Sequence, residues 1–205
     1  MAMSYRDLGE GAGDPLVFLH AFPLNGRMFE PQMAAFSADR RVIAPDFPGF
    51  GRSPRTPAQP DVRYYAEGVR SLLDRLGLER VILGGVSMGG YVAFECLRLF
   101  PERISALVLA NTRPDPDSEE ARESRKDMAL RVAQEGVGVL AEIGVSTLVI
   151  GGDEDSISSP EVMARMAGKI PDSRHVSLPH AGHLSNLEAP KEFNAALKGF
   201  LEEIR

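Results

Sequence analysis

Short, nearly continuous apolar runs recur along the chain, separated by stretches in which apolar positions return every three or four residues. The runs are Pro15 to Ala21, Arg41 to Asp46, Arg80 to Ser87, Ile104 to Asn111, Ser146 to Gly152 and Arg174 to Leu178. They are rich in Val, Ile and Leu and do not alternate with polar residues, which predicts strands buried on both faces of a sheet. Helices are expected near 27–37, 61–76, 88–99, 160–169 and 189–204. Pro160, behind Ser158 and Ser159 and ahead of Glu161, marks one helix start, because proline suits the first turn and the acid suits its free N–H groups. Strands alternating with helices predict an α/β protein with a mostly parallel, twisted sheet and helices on both faces.

One segment breaks the alternation. From Arg113 to Glu142 the chain is long for a crossover and dense in charge (Asp115, Asp117, Glu119, Glu120, Arg122, Glu123, Arg125, Lys126, Asp127), with Gly136 and Gly138 interrupting it. It reads either as a solvated helix that closes the crossover or as a lid over the carboxyl edge of the sheet. The expected organisation is a core domain of 1–112 and 144–205, with a short helical lid at 113–143 inserted in it.

Composition narrows the class. The chain has 205 residues, 43% hydrophobic and 25% charged, which suits a soluble globular domain and sets aside disorder, collagen and coiled coil. A net charge of -6 provides no overall basic field, so a nucleic-acid partner is not expected. Met1 to Asp14 contains Arg6, Asp7, Glu10 and Asp14 and lacks the apolar core of a secretory signal. No apolar run approaches the roughly 18 residues of a membrane helix, so no membrane partner is expected either. The lone cysteine, Cys96, excludes an internal disulfide and fits a reducing compartment, and the chain reads as cytoplasmic.

The strongest chemical signal is Gly85-Val86-Ser87-Met88-Gly89, where the apolar strand Val81-Ile82-Leu83 gives way to an apolar helix. A serine on a sharp strand-to-helix turn needs small neighbours, because the two backbones pass close together. Ser87 is therefore the expected nucleophile. A serine hydroxyl attacks at neutral pH only when a base takes its proton, and in this architecture acid and histidine follow the serine in that order. Of the histidines after Ser87, His175 lies inside a strand, whereas His180 and His183 occupy the loop Pro179-His180-Ala181-Gly182-His183-Leu184. His183 is the expected base, with His180 the alternative. The acid falls in Gly151-Gly152-Asp153-Glu154-Asp155, after the strand Thr147-Leu148-Val149-Ile150; spacing leaves Asp155 and Asp153 open, with Asp115 more remote. Acyl transfer also needs two N–H donors for the oxyanion. Met88 supplies one, and the other falls to Phe22 or Ala21 in His20-Ala21-Phe22-Pro23, since Pro23 has no N–H.

These motifs, together with Asp46-Phe47-Pro48-Gly49-Phe50-Gly51-Arg52-Ser53, closely resemble the α/β-hydrolase superfamily. The similarity is to its bacterial carboxylesterase, enol-lactonase and non-haem haloperoxidase-like branch, and it extends over nearly the whole chain. The resemblance implies Ser87 as nucleophile, Asp155 as acid, His183 as base, and Phe22 and Met88 as oxyanion donors. Its Gly-x-x-Asp pattern falls on Gly152 and Asp155, which selects Asp155 over Asp153. Two departures stand out. Ala21 replaces the glycine that commonly follows the first-loop histidine, and 113–143 is far shorter than the several-helix cap of the family. The N-terminal strand pair is also curtailed, with only Ser4 to Leu8 available.

A shortened cap predicts an open apolar cleft near Phe22, Met88 and Leu184, with His20 and Leu184 as candidate pocket residues. The expected activity is serine-dependent hydrolysis of small-molecule esters or lactones with broad preference and no cofactor. The alternatives are perhydrolase or haloperoxidase-like acyl transfer, or a scaffold that keeps the residues without the activity. The chain is expected to be a monomer or a homodimer, the latter through an exposed apolar rim. Asp46 and Ser53 read as loop-fixing residues, Cys96 as a small buried side chain, and Arg52 and Arg55 as solvated.

Overall fold

The computed structural model describes residues 3–55, 60–113 and 138–204. Seven strands form one sheet: β1 (Tyr5–Leu8), β2 (Leu16–Leu19), β3 (Val42–Pro45), β4 (Val81–Val86), β5 (Ile104–Ala110), β6 (Ser146–Gly152) and β7 (Ser173–Leu178). Their order across the sheet is β1-β3-β2-β4-β5-β6-β7. β1 runs antiparallel to β3, from Tyr5 opposite Pro45 to Leu8 opposite Val42, and every other pairing is parallel. The helices are α1 (Glu30–Phe36), α2 (Val62–Arg75), α3 (Met88–Leu99), α4 (Gly138–Ala141), α5 (Pro160–Ala167), α6 (Ser185–Glu188) and α7 (Pro190–Glu203).

The two faces of the sheet carry separate cores, and the period-two alternation of strand side chains divides the residues between them. Val17, Leu19, Leu83, Leu107 and Leu109 point to the face covered by α2, α3 and α5, where they meet Val69, Leu72, Val92, Cys96 and Met163. Leu16, Phe18, Ile82, Ala106 and Val108 point to the other face, against Phe29, Met33, Phe36, Phe193, Leu197 and Phe200 of α1, α7 and the turn before α1. Each fully buried Leu or Phe contributes about 2 kcal/mol of apolar burial, so the central strands are strongly held. α2 starts at Asp61, whose carboxylate accepts from the Tyr64 N–H at 2.7 Å.

Three sequence expectations change. Arg174 to Leu178 is not buried on both faces: among the described residues β7 is the last strand of the sheet, and Arg174, His175 and Ser177 are exposed. The end of the expected lid is core instead, because Leu140 and Ile143 are buried among the α2, α3 and α5 side chains. A short helix, α6, also precedes α7. The remainder of the lid expectation, with Asp115, lies outside the described residues. Among the described residues, no helix is long and apolar enough to cross a membrane.

Because β2, β4, β5, β6 and β7 are parallel, the loops that follow them emerge at one edge, where ligand sites form in such sheets. All the candidate residues are on these loops.

Candidate active site

Ser87 joins β4 to α3 with φ 53° and ψ -114°, a region that side chains other than glycine rarely adopt. Such a conformation costs about 1–3 kcal/mol and persists only when its surroundings fix it. Here the Ser87 N–H donates to the Ala110 carbonyl at 3.0 Å. The Ser87 carbonyl accepts from the Gly90 N–H at 2.9 Å and from the Thr112 hydroxyl at 3.0 Å. The flanking glycines are steric necessities. A Cβ on Gly85 would lie 2.3 Å from the Gly89 carbonyl oxygen, and one on Gly89 would lie 2.0 Å from that of Leu19.

The structure brings His183 and Asp155 to this serine. His183 Nε2 is 2.9 Å from Ser87 Oγ, and His183 Nδ1 is 2.9 Å from Asp155 Oδ2 and 3.1 Å from Oδ1. The Asp155 side chain has no exposed surface. Burial by itself pushes its carboxyl up, but hydrogen bonds from His183, Asn111 and the backbone of Ser158 and Ile157 outweigh that and hold it at about 2. An ionised carboxylate only accepts, so Nδ1 carries the imidazole proton and Nε2 is left free to accept from the serine hydroxyl. This arrangement can move a proton from Ser87 to His183 while Asp155 keeps its charge.

The other candidates are placed elsewhere. The Asp153 carboxylate accepts from the His180 N–H at 2.7 Å and so braces the turn rather than the imidazole. The His180 side chain is 90% exposed and lies beside Glu154 at 3.5 Å. The acid and base loops meet where only glycine fits, since a Cβ on Gly152 would lie 1.9 Å from the Ala181 carbonyl oxygen.

His20, one of the candidate pocket residues, is a buried loop histidine. It is fully buried, its Nδ1–H donates to the Ala21 carbonyl at 3.0 Å, and its Nε2 accepts from the Phe47 N–H at 3.0 Å. Burial lowers its pKa to about 4, against the opposing pull of the Ala21 carbonyl and the Asp46 charge. The ring packs on Phe47 and Phe50, with centroids 4.6 and 5.3 Å away. His20 is a neutral strut between two loops. Asp46 and Ser53 fix the second of these, through Gly26 N–H to Asp46 Oδ1 at 2.8 Å and Ser53 Oγ–H to the Asp46 carbonyl at 2.6 Å.

Met88 opens α3, so its N–H is one of those an α-helix leaves without an internal acceptor. Phe22 follows β2, which lies beside β4 with Leu19 opposite Gly85, so its loop leaves the sheet next to the serine turn. The Phe22 side chain is 59% exposed and edge-on to Phe50. Leu184, next to His183, is half-buried against the core on the α1 and α7 face.

Two supporting residues escaped the sequence reading. The Glu188 carboxylate accepts from the N–H groups of Gly182 at 2.7 Å and Leu184 at 2.9 Å, the two residues flanking His183. Asn111, after β5, touches both Asp155 and the His183 loop. The acid four residues beyond Leu184 was a usable signal for the first; nothing local marks the second. Among the described residues, no group of three or more His, Cys, Asp or Glu is placed to hold a metal ion.

A two-sided α/β sheet with a strained serine turn in its middle and an imidazole and a carboxylate from later loops is the architecture of a hydrolase. Comparison with known proteins agrees: a family model described as the alpha/beta hydrolase fold matches residues 14–134 and 133–190, and the chain belongs to that family. A thermophilic esterase from Thermogutta terrifontis, solved with malate bound, is 30% identical with a TM-score of 0.92, covering 98% of this chain and 93% of the other. The enol-lactonase from Burkholderia xenovorans LB400 is 22% identical with a TM-score of 0.85, covering 98% and 96%, and shares the fold. The dihydrolipoyllysine-residue acetyltransferase component of an acetoin cleaving system in Pseudomonas putida is 29% identical over 254 residues, covering 98% of this chain and 67% of the relative. That alignment is longer than the chain itself, so the relative carries residues with no counterpart here.

Proposed function

We propose that the protein is a serine hydrolase of small carboxylic esters or lactones, acting through an acyl-enzyme. The observation that carries this reading is the continuous hydrogen-bonded series from Ser87 through His183 to Asp155. Ser87 Oγ attacks the substrate carbonyl carbon as its proton passes to His183 Nε2. The resulting oxyanion accepts hydrogen bonds from the Phe22 and Met88 N–H groups. The carbonyl carbon–alkoxy bond then breaks, the alkoxide takes the proton from His183, and the acyl group stays on Ser87. Water next gives a proton to His183 and attacks the acyl carbon, and the proton returns to Ser87 as the acid leaves. Throughout, Asp155 fixes the imidazole and balances its charge.

Substrate breadth follows from the short segment at 113–143. A lid of that length would leave the site relying on Phe22, Met88 and Leu184 for apolar contact, which favours small substrates, broad preference and a high KM. The 30% identical esterase supports ester cleavage in particular.

The test is hydrolysis of p-nitrophenyl acetate, butyrate and octanoate by the protein and by Ser87→Ala. Activity on the short esters that vanishes in the variant is the expected result. Folded protein with no activity on any ester, and no labelling of Ser87 by a fluorophosphonate, refutes it in favour of a binding scaffold.

A further inference from the structure

Asn111 sits just past the end of β5 with φ 47°, and it is fully buried. Asparagine tolerates this left-handed conformation better than most residues, so the backbone alone would suit it. Its polar atoms are all engaged. The backbone N–H donates to the Ile150 carbonyl at 3.0 Å, and the carbonyl accepts from the Ser158 hydroxyl at 3.2 Å. In the side chain, Nδ2 donates to Asp155 Oδ2 at 3.0 Å and to the Gly182 carbonyl at 3.0 Å, while Oδ1 accepts from the Ser185 hydroxyl.

The orientation of this carboxamide is fixed by chemistry. A carboxylate and a carbonyl can only accept, so the NH2 group must face Asp155 and Gly182; the remaining oxygen faces a hydroxyl that can donate. One planar group therefore spans the loop that carries Asp155 and the loop that carries His183. These two residues are 28 positions apart in the chain.

We propose that Asn111 is a positioning residue for the acid–base pair: its carboxamide sets the placement of Asp155 against His183 and keeps the carboxylate a pure acceptor. This rests on the reading of Ser87, His183 and Asp155 as the working triad. With Oδ2 taken by Asn111 and His183, and Oδ1 by the Ile157 and Ser158 N–H groups at 2.8 and 3.0 Å, the orientation of the carboxylate is fixed and its ionised form is favoured. The groups facing His183 are Asp155 from the β6 loop, Ser87 from the β4 turn and Glu188 from α6, the last through the Gly182 and Leu184 N–H groups. Asp153, Glu154 and His180 lie on the rim beyond them.

The experiment uses Asn111→Asp and Asn111→Gly, with kcat, KM and pH profiles on a short p-nitrophenyl ester. Both variants tolerate the left-handed backbone. Aspartate keeps the shape but replaces the NH2 with a carboxyl group beside Asp155, and two carboxyls this close cannot both ionise freely. The pair shares a proton, so the pH profile of kcat/KM changes shape, with activity lost as the second carboxyl ionises. Glycine leaves Asp155 Oδ2 and the Gly182 carbonyl without this donor; kcat falls about 10- to 100-fold while KM changes less than about threefold. A purely structural role for Asn111 predicts altered stability with an unmoved pH profile in Asn111→Asp, and that result overturns the proposal, as does wild-type kcat in Asn111→Gly. If the aspartate variant does not fold, Asn111→Gly decides through kcat and through the low-field Nδ1–H resonance of His183, which shifts or disappears if the pair is released and is unchanged if the proposal is wrong. Ser87→Ala in the same assay separates the two readings, because activity surviving there refutes the triad whatever Asn111 does.

Discussion

Lowering the pH should destabilise the protein through His20, and the structure sets the size of the effect. His20 is completely buried, and its Nε2 accepts from the Phe47 N–H, so protonating that nitrogen breaks a buried hydrogen bond and buries a charge. Its pKa falls from 6.5 to about 4 on folding. Between those values the unfolded chain binds the proton and the folded chain does not. Stability from this residue is therefore fully present above pH 6.5 and is lost as pH falls toward 4. This amounts to about 3 kcal/mol in all, of which about 2 kcal/mol is already gone at pH 5. The assay is urea unfolding of the protein and of His20→Asn at pH 7.5 and pH 5. The variant carries a constant offset from its altered packing, so the informative quantity is how the difference between the two proteins changes with pH. It should shrink by about 2 kcal/mol on acidification. A change below about 0.5 kcal/mol would falsify the picture of His20 as a buried neutral strut. The matter bears on activity because the same loop carries Phe22.

Three further outcomes follow from the geometry. Gly89→Ala forces a Cβ to within 2.0 Å of the Leu19 carbonyl oxygen and should cost more than about 3 kcal/mol in urea unfolding, together with the ester hydrolysis proposed above. Gly168→Ala, whose Cβ has its nearest neighbour at 3.5 Å, should be neutral or stabilising by up to about 1 kcal/mol; equal effects at the two sites would refute the steric account of the serine turn. Asp155→Asn can no longer hold the Nδ1–H tautomer of His183, so kcat should drop by about 10⁴ with little change in KM, and a loss smaller than about tenfold would remove Asp155 from the mechanism.

Much of this molecule was legible from short stretches of chain, because the signals there are local. Period and run length alone located β4, β5 and β6, whose residues are apolar since both of their faces are covered. The glycines around Ser87 were equally readable, because a steric requirement at a tight turn is met within a few residues. Strand exposure was not: Arg174 to Leu178 carries only Val176 and Leu178 as apolar residues, and which side chains of β7 are covered depends on its place in the sheet and on what packs against it. Gly182 and Leu184 favoured His183 over His180, whereas spacing left Asp155 and Asp153 open until the family pattern selected Asp155. Only two residues separate the two histidines, yet one ring reaches Ser87, 96 positions away, and the other points to solvent. Asn111 is the clearest case. In sequence it is a polar residue ending an apolar run, and its partners are 44, 71 and 74 positions further on. Period and steric fit are properties of neighbours in the chain, so the sequence by itself determined the layers and the serine turn. Which side chains share hydrogen bonds across loops depends on how the sheet brings distant segments to one edge, and only the tertiary structure decided that.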